Sequence, residues 1–190
     1  MSLLVRRAND LFNYINNQPD ILKDYFLQDV PFWVEKTNNS SDCPFVDIWI
    51  KRQEFRSLIR YRASCLSRKD TIDFHQFLSF CGTEKYIFVN NLYISCQDIG
   101  PGLYLEHAFS TVIFAEKIGE RFHINQNVTI GARKGGKPTI GNNVSVYTHS
   151  VVIGGISIGD GAKIGAGSVI VKSVPPNTTT VPPSVIYLKK

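Results

Sequence analysis

The chain has 190 residues, 43% of them hydrophobic, which allows one or two small domains with buried cores. No apolar run approaches the roughly 20 residues of a membrane span, and residues 1–7 lack the features of a secretory leader, so a cytoplasmic protein without a membrane partner is expected. The net charge of +5 is too mild to demand a nucleic-acid partner, and Cys43, Cys65, Cys81 and Cys96 include no Cys-x-x-Cys pair, which argues for reduced structural thiols over a zinc site or a disulfide framework.

The first 90 residues predict helices. Leu4, Ala8, Leu11, Phe12 and Ile15 have the spacing of an amphipathic helix, residues 21–27 suggest a short second one, and Asp42 with Pro44 can start a third that runs to about Leu66. Residues 38–41 suit a loop. A fourth helix can start at Asp70 and bury Ile72, Phe77, Leu78 and Phe80. Residues 51–69 hold seven basic side chains against the single acid Glu54. Among them Arg52, Arg56 and Arg60 recur every four residues, a stripe better suited to solvent or a subunit contact than to nucleic acid.

From Tyr86 the pattern turns β-like. Ile140, Val146, Val152, Ile158, Ile164 and Ile170 are six apart, and Ile118, Ile124 and Ile130 keep the step upstream. Tyr93, Ile99 and Leu105 precede them, with one extra residue before Val112 and four before Ile140. Gly follows the aliphatic residue at 100, 119, 131, 141, 159 and 165, and a hexapeptide period of this kind signals a parallel β-helix. Three hexads close a coil, so the series gives about four coils with the aliphatic side chains stacked inside. The expected fold is α+β: an α-helical domain over 1–90, then a parallel β-helix over 91–190 with a short C-terminal extension.

Among the histidines, His75 lies among apolar residues of the helical half and suits a packing role. The hexad count puts His107 and His149 on a shared face, two coils or about 10 Å apart at a strand spacing near 4.8 Å, with His123 on another face. Imidazoles so separated cannot converge on one zinc ion, which needs nitrogens about 2 Å away, so no metal is expected. His107 has the strongest context. It follows Glu106 and precedes the irregularity before Val112, and an imidazole on the outer wall beside a carboxylate suits proton abstraction near neutral pH, against the alternative of a plain surface histidine.

The segments DIGPGLYLEHAFSTVI, GKPTIGNNV and IGDGAKIGAGSVIVKSVPPNTT resemble the serine O-acetyltransferases, hexapeptide-repeat acyltransferases, and EFRSLIRYRAS resembles the end of their helical domain. The resemblance implies a left-handed β-helix and a homotrimer, or a dimer of trimers, with sites in clefts between neighbouring β-helices. It implies acetyl transfer from acetyl-CoA to the hydroxyl of L-serine by direct attack, without a metal. His107 matches the family's general base, and Glu106 the acid beside it that orients the amino-acid acceptor. Thr148, Lys163 and Ala166 match turn positions near coenzyme A, with Gly165 and Gly167 keeping that corner low.

Two departures accompany the resemblance. Where the family carries Gly-Gly-Asp-Arg-His-Pro, this chain has Gly135-Gly136-Lys137-Pro138, so Lys137 and Arg133 are the candidates for meeting the acceptor carboxylate. The change leaves room for a sugar or other small hydroxyl acceptor as the alternative substrate. The segment after Val181 is short and ends in Lys189-Lys190, so no tail-mediated complex with the sulfhydrylase of cysteine synthesis is expected.

Overall fold

In the computed structural model, which describes residues 3–17, 20–67 and 89–183, the apolar spacing of the first third becomes four helices. Helix α1 (Leu3–Asn16) buries Ala8, Leu11 and Ile15 as their spacing requires. Helix α2 (Asp20–Thr37) runs ten residues beyond the expected end at 27 and buries Phe26, Phe32 and Trp33, with Pro31 tolerated inside it. The single helix expected over 42–66 is two, α3 (Pro44–Lys51) and α4 (Gln53–Ser67), because Arg52 is extended at φ −124° and ψ 102°. Arg56 turns back so that its Nη1 donates to the carbonyls of Trp49 and Ile50, which the break leaves without helical partners. Arg56 is therefore buried and leaves the basic stripe, whereas Arg52 and Arg60 stay exposed. The expected fourth helix, His75 and Cys81 lie outside the described residues; Cys43, Cys65 and Cys96 are free thiols.

The rest is a triangular prism of short parallel strands, matching a left-handed β-helix. Its first face stacks β1 (Leu92–Ile94), β3 (Thr111–Ile113), β6 (Thr129–Gly131), β9 (Val151–Ile153) and β12 (Val169–Ile170). The second stacks β4 (Lys117–Ile118), β7 (Thr139–Ile140) and β10 (Ser157–Ile158), extended by bridges from Ile99 and Val174. The third stacks β2 (Tyr104–Leu105), β5 (His123–Ile124), β8 (Ser145–Val146), β11 (Lys163–Ile164) and β13 (Thr179–Thr180). The stack is about five coils rather than four, because the last rung is built from Val174 and Thr179–Thr180, which carry no aliphatic hexad signal.

The interior holds Ile118, Ile140 and Ile158 on one side and Leu105, Ile124, Val146 and Ile164 on another, as the period requires. On the first face the register differs from the hexad count. Ile113 pairs with Ile130 and is fully buried, while Val112 and Tyr93 pair with each other and point outward. The insertion after Leu105 is thus two residues, absorbed where His107, Ala108 and Ser110 take φ of 60°, 43° and 52°. Corners stack closely: a Cβ on Gly141 would lie 2.1 Å from Asp160 Oδ1, the atom that accepts from the Asn142 amide at 2.7 Å.

Helices and prism meet at a buried ion pair. Asp29 Oδ2 accepts from Arg62 Nε at 3.0 Å, and Asp29 Oδ1 accepts from the amides of Gly102 at 2.6 Å and Leu103 at 3.2 Å. Arg62 also donates to the carbonyls of Ile99 and Gly100, and Trp33 Nε1 to that of Leu103 at 2.9 Å. Helices α2 and α4 thereby clamp the turn that leads directly into Glu106 and His107.

Candidate active site

One edge of the prism, where the chain passes from the third face to the first, gathers most of the candidate residues. Asn127, His149 and Gly167 occupy corresponding left-handed corners on successive coils, with φ of 57°, 59° and 74°, and His107, at φ 60°, lies in the wider corner of the coil before them, in register with Gln126, Thr148 and Ala166. The coils are tied by Asn127 N donating to Phe109 O at 3.0 Å, Thr148 Oγ1 to Gln126 O at 3.1 Å and Gly167 N to Thr148 O at 2.9 Å. Glu106, His107, Thr148, Gly165, Ala166 and Gly167 therefore lie along a single ridge, with exposed Lys163 on the adjoining outer wall. Gly167, at φ +74°, has nothing within 4 Å of where a Cβ would stand, so this corner is open to a ligand. Gly165 has a packing reason as well: its Cβ would meet Thr180 O at 2.5 Å.

Arg133 and Lys137 stand elsewhere. They belong to the loop between β6 and β7, on the edge joining the first face to the second, where Arg133 and Gly136 bridge each other. The Lys137 ammonium sits 3.3 Å from Glu116 Oε2 and over the Phe114 ring. Within one chain neither residue shares an edge with His107.

The partner of Glu106 is a residue the hexad count set on another face. His123 is the last residue before Ile124, so it belongs to the strand that stacks on Tyr104–Leu105, and Tyr104 is its register partner. Its Nε2 lies 2.7 Å from Glu106 Oε2, which also accepts from Asn125 Nδ2 at 3.0 Å. The rings of Tyr104 and Tyr147 flank it, with centroids 5.2 and 5.8 Å away. Counting 19 residues per coil from Tyr104 to His123, and from Glu106 to Asn125, would have found both contacts; a uniform step of 18 does not. His107 stays exposed beside this network. Among the described residues no group of His, Cys, Asp or Glu is arranged to hold a metal, and no helix is long and apolar enough to cross a membrane.

The family model "Bacterial transferase hexapeptide (six repeats)" matches residues 137–172. A serine acetyltransferase of Synechococcus elongatus is 41% identical over 96 residues, which take in 47% of this chain and 39% of the relative. That of Escherichia coli K12 is 41% identical over 86 residues, 43% of this chain and 32% of the relative. The crystal structure of serine acetyltransferase from Brucella abortus superposes with a TM-score of 0.67 at 25% identity, covering 96% of this chain and 79% of that one. The chain is similar to the serine acetyltransferases, most closely over its hexapeptide repeats. The matches span well under half the length of the curated relatives quoted. A serine acetyltransferase solved as a complex with CoA shares the fold at a TM-score of 0.61 and 20% identity.

The His123 imidazole is pushed down, chiefly by burial, with the Lys36 charge adding to it, while the Glu106 hydrogen bond pulls the other way. The Tyr104 and Tyr147 rings and the Asn125 amide pack around the pair. A depressed imidazole leaves the fold at full stability above the unfolded value near 6.5, and stability declines as the pH falls from there toward the lower folded value. We expect the urea midpoint to fall between pH 7 and pH 5, and to fall less in His123→Gln, which keeps a donor for Glu106 but does not titrate. An identical slope in the two proteins would remove His123 as the cause.

Proposed function

We propose that the protein transfers the acetyl group of acetyl-CoA to the hydroxyl of L-serine, forming O-acetylserine for cysteine biosynthesis. The observation that carries the reading is His107 held in a left-handed corner beside Glu106, on the ridge that also bears Thr148 and Ala166. His107 takes the hydroxyl proton as the oxygen attacks the thioester carbonyl. The carbon–sulfur bond breaks, and the coenzyme A thiolate leaves and collects a proton. Thr148, Lys163 and the Gly165-Ala166-Gly167 corner receive the coenzyme, backbone groups bonding its amides and the lysine meeting a phosphate. Thiol release from acetyl-CoA against L-serine, homoserine and sugars tests the reading: L-serine should be turned over fastest, and transfer to a neutral sugar in its place would overturn the acceptor.

The assembly belongs to the same proposal. The outer side of the first face is largely apolar, with Tyr93, Val112, Val151 and Val169 in one column interrupted by Thr129, and Phe114, Ile153 and Val171 beside it; Val169 is 66% exposed. The second face presents Lys117, Thr139 and Ser157 instead. Such a face suits burial against other copies of the chain in a homotrimer. Arg133 and Lys137 can contribute to an acceptor at His107 only from a neighbouring copy. We expect Val151→Asp to convert the oligomer to monomers in sedimentation velocity and to abolish activity; a fully active monomer would contradict the proposal.

A further inference from the structure

A cleft of about 270 Å³ opens where the C-terminal end of α2 and the α3–α4 break face the first coil, and His107 lies on its wall. Lys36 and Arg52 line it on the helical side, with Glu54, while Glu106 lines it on the prism side. These charges are unequally committed. Glu106 uses Oε2 for both His123 and Asn125, which leaves Oε1 uninvolved in those bonds. The Lys36 ammonium lies 5.3 Å from the Phe32 ring centroid. Neither Lys36 nor Arg52 forms an ion pair among the described residues, unlike Lys137, which Glu116 holds on another edge.

We propose that Lys36 and Arg52, from the helical segment of the same chain, bind the carboxylate of the amino-acid acceptor. Glu106 and Glu54 face its ammonium group, and its hydroxyl is left beside His107. The inference rests on the amino-acid acceptor of the proposed function and assigns its recognition to residues outside the 132–137 loop. Two cations and two carboxylates around one imidazole match a zwitterion, and they would stand undischarged around a neutral sugar. A guanidinium can meet a carboxylate through two parallel bonds, so Arg52 should contribute more than Lys36.

The test is kinetic, on the assembled full chain, with L-serine and L-serinamide as acceptors. Arg52→Gln should raise KM for L-serine about tenfold or more, and Lys36→Met by a smaller factor, with kcat and the KM for acetyl-CoA little changed. Arg52→Lys should recover part of the loss. With L-serinamide, which has no carboxylate, the penalties should vanish. An unchanged KM for L-serine in both variants, an equal rise with L-serinamide, or a larger rise from Lys137→Ala than from either would overturn the inference while leaving the proposed activity standing. If the parent protein does not acetylate L-serine, the activity falls and calorimetric titration with L-serine decides the rest. Binding that weakens in Arg52→Gln and Lys36→Met sustains the inference, and binding that is absent, or equal in all three proteins, ends it.

Discussion

Replacing His107 with alanine should lower kcat by about a hundredfold or more while leaving the KM for acetyl-CoA nearly unchanged. That is the usual scale for losing a positioned general base, and an effect confined to kcat marks an interaction made in the transition state. The backbone must be separated from the chemistry, because His107, Ala108 and Ser110 all have positive φ and such residues cost of order 1–3 kcal/mol each where they are held. His107→Asn separates them. Asparagine tolerates the left-handed corner better than most residues but cannot accept the proton. Both variants should lose activity alike, as measured by thiol release at saturating acetyl-CoA, whereas only the alanine variant should also lose stability. A near-wild-type rate in either would remove His107 as the base.

The hexad period made the prism legible from the chain alone, because each inward side chain is chosen by the same packing constraint. Ile118, Ile124, Ile130, Ile140, Val146, Val152, Ile158 and Ile164 all point inward as counted. The period fails where corners hold extra residues. Two residues inserted after Leu105 send Val112 outward, and coils of 19 and 22 residues shift which outer-wall side chains stack. The Glu106–His123 contact was hidden for that reason. The break at Arg52 was hidden for a different one: it leaves no proline or glycine in the sequence, and its compensation comes from Arg56, a side chain that reads as solvated. The charges of the helical cleft were equally invisible, since Lys36 and Arg52 are brought to His107 only by the docking of α2 and α4 on the turn before β2.

That docking carries the largest stability effect expected in the chain. Asp29 is fully buried and Arg62 is 4% exposed, so Asp29→Ala leaves a guanidinium in the interior without its counter-charge and strips Gly102 and Leu103 of their acceptor. Burial pushes the Asp29 carboxyl up, and the Arg62 guanidinium and the two amides oppose that push, so the ionised pair depends on every member being present. Removing one partner of a buried pair costs about 3–5 kcal/mol, which for a chain of this length lowers Tm by about 10 °C or more. Asp29→Asn, which can still accept from Gly102 but cannot neutralise Arg62, should fall between the parent and Asp29→Ala. The double variant Asp29→Leu, Arg62→Met should recover part of the loss, because it removes both charges together. Thermal unfolding at pH 7.5 gives the ranking, and a shift under about 2 °C in Asp29→Ala would mean that the pair does not hold the helices to the prism. Activity should fall with stability in Asp29→Ala. The turn that the pair clamps ends at Leu103, three residues before Glu106, and a loosened turn misplaces the carboxylate and imidazole that the reaction needs within a fraction of an ångström.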